Sequence, residues 1–150
     1  MKLSAEQVRE IITAAHSKGE QPDLRGHDLS SISMDRDNLS RADLSGADLT
    51  NASLIHADLA QANLSKATLS EADLAETNLS GVNLRHADLF KANLAEANLQ
   101  GSDLRGANLD GANLNHANLD GADLRGARYT DYTKWTVTFD PDSAGAVRKI

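Results

Sequence analysis

Five histidines, twenty-two acidic residues and fifteen lysines and arginines are the groups through which this chain could do acid–base or metal chemistry, since cysteine is absent. The missing thiol excludes disulfides, thiolate nucleophiles and cysteine-ligated zinc or iron–sulfur centres. His56, His86 and His116 recur at equal spacing among carboxylates, the raw material of a metal site. Such a site needs its donors within ~2–2.6 Å of one ion, so the question is whether the fold makes them converge. No G-x-S-x-G, P-loop or G-x-G-x-x-G arrangement is present. The net charge of −7 opposes sequence-independent nucleic-acid binding. No apolar run approaches the ~18 residues that span a bilayer.

The elements that must position these groups are written in a period of five. From Leu24 to Leu124 every fifth residue is leucine except Met34, without insertion or deletion. Two residues before each leucine, from Ala42 to Ala122, stands alanine, except at Thr77, Val82 and Ser102. The residue just before the leucine is Asp or Asn except at Ser33, Ser53 and Thr68, and glycine is frequent two residues after it. On an α-helix five residues advance ~500°, so the leucines would drift around the axis and define no face. On a straight strand an odd period throws them to alternate faces.

The pattern works if the chain turns a corner every five residues. Alanine and leucine, two apart in an extended segment, then both point inward, and the Asp or Asn between them points out. Glycine is expected at the corner, where a permissive backbone helps. Four sides close a 20-residue square coil, and the repeats make about five coils and a rod of roughly 25 Å. On this frame His56 and His116 share a side three coils apart, ~14 Å, and His86 lies opposite. No catalytic, cofactor or metal site is expected, and the leucine-filled interior leaves no substrate pocket. Aromatics make up only 3 % of the chain, in keeping with a core of leucine and alanine.

The runs "RADLSGADLT", "HADLAQANLS" and "GANLDGANLN" closely resemble the pentapeptide-repeat proteins, whose consensus is A-(D/N)-L-x-x. The resemblance implies an all-β fold, a right-handed quadrilateral parallel β-solenoid, often with an N-terminal helical cap. It also implies a non-enzymatic role, and compact leucine-rich members are common in photosynthetic bacteria. Some members mimic DNA and bind gyrase. Here the charge density is too low for that role, since B-DNA carries one charge per ~1.7 Å.

The expected organisation is a helical cap over 1–21, the solenoid over 22–130 and a C-terminal cap over 131–150. Ser4 and Gln7 form a capping box, Leu3 and Val8 a hydrophobic staple, and Val8, Ile11, Ile12 and Ala15 one apolar face. Glu6, Arg9 and Glu10 interrupt any export segment, so a cytoplasmic protein is expected. The irregular first coil, with His27, Ile32, Met34 and Asp37, is read as an adaptation to the helix above it. Tyr129, Tyr132, Trp135 and Phe139 are read as a lid over the last coil or a dimer contact, with a short helical turn at Ser143–Val147.

One wall carries Arg85, Arg105 and Arg125 on consecutive coils beside Asp103 and Asp123, and the other three walls are acidic. Ile55 and Phe90 are the large apolar residues at outward repeat positions. These five residues are the candidate surface for an unidentified protein partner. No direct nucleic-acid or membrane contact is expected, and a monomer is favoured over a homodimer joined at the C-terminal end.

Overall fold

The computed structural model describes residues 2–150. Helix α1 (Ala5–Ser17) precedes a long stack of square coils, and two short strands, β1 (Arg128–Tyr129) and β2 (Val147–Arg148), pair in parallel at the far end. The coils bridge residues twenty apart, from Asp23 with Asp43 to Asn108 with Arg128, always in parallel. Each bridge is a reciprocal pair of hydrogen bonds. Leu44 N–H donates to the Asn63 carbonyl at 2.7 Å, and Asn63 N–H donates back to the Ala42 carbonyl at 2.9 Å. Every leucine from Leu24 to Leu124, together with Met34, is buried in one continuous core with the alanines between them.

The corners are β-turns. Ala47 N–H donates to the Leu44 carbonyl at 3.0 Å, and Gly46, third in the turn, has φ +67°. Positive φ at the third position alone is the signature of a type II turn. The left-handed residue recurs every five positions from Gly26 to Gly126, but most corners are not glycine. Thirteen are Ser, Arg, Asn, His, Gln, Lys or Glu, with φ between +54° and +64°. Glycine is therefore an option at the corner and not its cause. The ladder of hydrogen bonds imposes a conformation that costs an ordinary residue ~1–2 kcal/mol.

The outward Asp or Asn has a structural task. In all eighteen repeats that carry one, its Oδ1 accepts the backbone N–H two residues on, at 3.0–3.2 Å. That N–H begins the turn and has no partner in the ladder, so the side chain fills a need that recurs at each side. Ser33, Ser53 and Thr68, which stand in its place, make no such bond to the N–H two residues on among the described residues. At Ser53 the orphaned Ile55 N–H is taken by Asp35 from the preceding coil, at 2.9 Å.

Helix α1 begins at the expected capping box, with both bonds formed between Ser4 and Gln7. Leu3, Val8 and Ile12 are buried in the same core as the leucines. The helix segment also satisfies the open edge of the first coil. Leu3 N–H donates to the Asp28 carbonyl, Lys2 Nζ to the Ser30 carbonyl at 2.7 Å, and His16 Nε2 meets the Ser40 carbonyl at 3.0 Å. Arg9 pairs with Asp37 at 2.9 Å, so this irregular position serves the helix.

At the far end the ladder continues with one extra residue. Asn113 bridges Lys134, so Thr133 and Trp135 take the inward places that alanine and leucine hold elsewhere. The buried Thr133 hydroxyl donates to the Leu109 carbonyl at 2.7 Å. The expected helical turn at Ser143–Val147 is corrected. The chain turns at 141–145, and Val147–Arg148 is a strand. Val147 N–H donates to the Ala127 carbonyl and Lys149 N–H to the Tyr129 carbonyl, both at 2.7 Å. An edge with donors and acceptors to offer outcompetes a short helix that would leave them unpaired.

Candidate interaction surfaces

The wall bearing Arg85, Arg105 and Arg125 is an alternating ladder of charge. Because an inward leucine separates Asp and Arg in each D-L-R repeat, the two charged side chains emerge on the same side. Arg105 grips Asp103 at 2.7 Å and approaches Asp123 at 3.6 Å. Arg125 grips Asp123 at 2.6 Å. Arg25 makes the same motif with Asp23 at 2.9 Å. The guanidinium hydrogen bonds of Arg25 and Arg125 hold the Asp23 and Asp123 carboxyls at about 2, and the Arg105 side chain lowers Asp103 in the same way. Arg85 differs, since its nearest carboxylate is Asp103 at 4.0 Å.

Ile55 and Phe90 are both half-buried, and the Lys91 ammonium lies 5.2 Å from the centre of the Phe90 ring. They stand in different columns of the coil stack and are not brought together. His56 meets Glu76 at 3.6 Å on the next coil. Among the described residues no three His, Asp or Glu side chains are grouped to hold a metal ion. No helix is long and apolar enough to cross a membrane.

Three of the four C-terminal aromatics assemble. Tyr129 is 7 % exposed and meets Trp135 edge-on at 5.5 Å, and Trp135 stacks on Phe139 at 5.2 Å. The Tyr129 hydroxyl donates to Asp142. Tyr132 stays outside, 80 % exposed, as is Val137 at 90 %. Sequence reasoning did not single out Val137, Val147 or Ile150, which lie beyond the repeat and carry no periodic signal. Leu119 and Leu124 N–H and the Ala117 and Ala122 carbonyls take no backbone partner among the described residues. Two sides of the last coil therefore continue no ladder.

The family model for pentapeptide repeats matches the chain over residues 20–51, 33–70, 52–89, 67–106 and 92–128, in eight copies. Among solved structures the chain is similar to the pentapeptide repeat protein Rfr23 from the cyanobacterium Cyanothece 51142. That match has TM-score 0.75 and 31 % identity, covering 83 % of this chain and 97 % of that one. It is also similar to alr5209, a pentapeptide repeat protein from Nostoc Pcc 7120, with TM-score 0.54 and 31 % identity over 99 % and 98 % of the two chains. Trypsin-treated QnrB1, a plasmid-mediated fluoroquinolone resistance protein, matches with TM-score 0.51 and 21 % identity over 86 % and 80 %, a likeness of fold alone. No curated protein matches the sequence.

Proposed function

We propose, because the chain belongs to the pentapeptide-repeat family, that it is a non-enzymatic scaffold whose rigid walls present surface to a protein partner. In this reading it is a right-handed quadrilateral solenoid of about five coils, with α1 and the C-terminal aromatic segment as its caps. The supporting observation is the unbroken stack of buried leucines and alanines, which fills the axis and leaves the chemistry to the walls. Affinity capture from native cells with the intact chain, with Arg85, Arg105 and Arg125 changed to Glu, and with Ile55 and Phe90 changed to Glu tests it. Loss of a specific partner from one wall variant identifies the docking wall. Identical capture by all three proteins, each folded by circular dichroism, counts against the reading.

One observation favours a second contact at the C-terminal end, where Tyr132 and Val137 are exposed and two sides of the last coil continue no ladder. Sedimentation equilibrium decides between a 16.0 kDa monomer and a species of twice that mass. The DNA-mimicking alternative gains nothing from the geometry, since Asp23, Asp103 and Asp123 are engaged by arginine and the Asp positions serve the turns.

A further inference from the structure

Asn83 stands where Asp23, Asp103 and Asp123 hold an arginine two residues on. Its Oδ1 already accepts the Arg85 N–H at 3.0 Å, and it has no charge to offer the guanidinium. Arg85 thus lacks the side-chain hydrogen bonds that Arg25, Arg105 and Arg125 make. Its one ion-pair neighbour among the described residues, Asp103, is itself gripped by Arg105 at 2.7 and 2.9 Å.

The coil before Arg85 places further uncommitted groups beside it. Lys66 N–H donates to the Arg85 carbonyl at 2.9 Å, so Ser65 and Lys66 lie over Arg85 and His86, one coil spacing away. Among the described residues the Ser65 hydroxyl, the Lys66 ammonium, the Asn83 amide N–H groups and the His86 ring have no hydrogen-bond or ion-pair partner in the protein. On the other three walls the amides of Asn78, Asn93 and Asn108 donate to Asp58, Asp73 and Asp88 of the coil before, whereas Asn83 has Asn63 there. Ser65, Lys66, Asn83, Arg85 and His86 line one open concavity of about 350 Å³.

We propose that these five residues form a binding notch for a phosphate monoester dianion. Lys66 and Arg85 supply two positive charges, and five side chains supply donors. A carboxylate offers one charge and two oxygens, whereas a phosphate monoester offers close to two charges and three strong acceptor oxygens. Guanidinium and ammonium donors to such an anion make the stronger, charge-assisted class of hydrogen bond. The site does not rest on the scaffold reading, because inorganic phosphate alone tests it.

The experiment is an NMR titration of the isotope-labelled full chain with inorganic phosphate, ionic strength held constant with chloride. Saturable shifts are expected at Ser65, Lys66, Asn83, Arg85 and His86. Asn83→Asp restores the carboxylate that the neighbouring repeats carry and keeps the turn bond, so it folds. It is expected to weaken binding by about tenfold or more, and Arg85→Gln to do the same. Arg105→Gln, already engaged by Asp103, is expected to change affinity by no more than about twofold. A phosphoserine peptide binding about tenfold more tightly than inorganic phosphate places the group on a protein, and equal affinity places it on a small molecule. Absence of saturable shifts, shifts spread equally to Arg25, Arg105 and Arg125, or undiminished binding by folded Asn83→Asp overturns the proposal.

Discussion

Gly46→Ala and Gly106→Ala form a matched pair that separates backbone strain from side-chain crowding at the corners. Both glycines are left-handed, with φ +67° and +69°. A Cβ at 46 meets nothing within 4 Å, but at 106 it falls 2.5 Å from Nδ1 and 2.6 Å from Cε1 of the His86 ring one coil away. Strain alone costs ~1–2 kcal/mol, offset by ~0.4–1 kcal/mol from a stiffer unfolded chain, so Gly46→Ala should cost about 0.5–1 kcal/mol. At Gly106 the exposed His86 ring must also swing out of its rotamer, adding about 1 kcal/mol. For a chain of this length 1 kcal/mol moves Tm by ~2–4 °C, so Gly106→Ala should melt several degrees below Gly46→Ala. In a His86→Ala background the two glycine substitutions should cost the same, because the added term belongs to the pair. Thermal unfolding followed by circular dichroism reads all of these. A Gly106→Ala penalty equal to that of Gly46→Ala, or one that persists without the imidazole, would refute the reasoning.

Asn98→Asp should be close to neutral and Asn98→Ser should cost about 1 kcal/mol by denaturant unfolding, because the bond to the Gln100 N–H is kept by a carboxylate and is one that Ser33, Ser53 and Thr68 do not make at the same repeat position. Thr77→Val should cost ~0.5–1.5 kcal/mol by losing the bond from its buried hydroxyl to the Leu54 carbonyl. Ser102→Ala should be neutral or stabilising, since its buried hydroxyl has no partner among the described residues. The Asp123 carboxyl should titrate near about 2 by NMR, and Arg125→Gln should raise that midpoint toward 3.8. A depressed folded-state value contributes stability above the unfolded value, so this contribution is complete above pH ~4 and fades as pH falls toward about 2. Arg41→Gly should raise stability by about 0.5–1 kcal/mol, by removing the cost of an arginine at φ +59°.

The coil was legible because its signal is geometric. A leucine every five residues, with a small residue two before it, satisfies neither helix nor straight strand, and Leu44, Leu64 and Leu84 do lie in one core. The N-terminal helix was equally readable, because Ser4 and Gln7 form a local device that depends on nothing distant. Two things were hidden. The spacing places the Asp or Asn outward, but nothing in it says that a turn N–H two residues on lacks a partner. The C-terminal segment lost its register through one extra residue between Tyr129 and Trp135. After that slip a period of five no longer predicts which side chain points inward, and Val147–Arg148 pairs only because an edge awaits it.

These bonds also decide which charges are available to a ligand. An Asp before a leucine is committed to its own turn, and an Arg after that leucine is committed to the Asp. Most of the acidity and much of the basicity on the walls is therefore scaffold, and net charge is a poor guide to the partner. The corner residues are different, because few of their side chains take part in the ladder or the turn. Thirteen of them are held in a left-handed backbone that glycine would adopt at lower cost. Side chains such as Lys66 and His86 thus stand where the fold gains nothing from them. Where a neighbouring Asn also releases an arginine, as at position 83, the rod keeps a set of donors that its own architecture does not use.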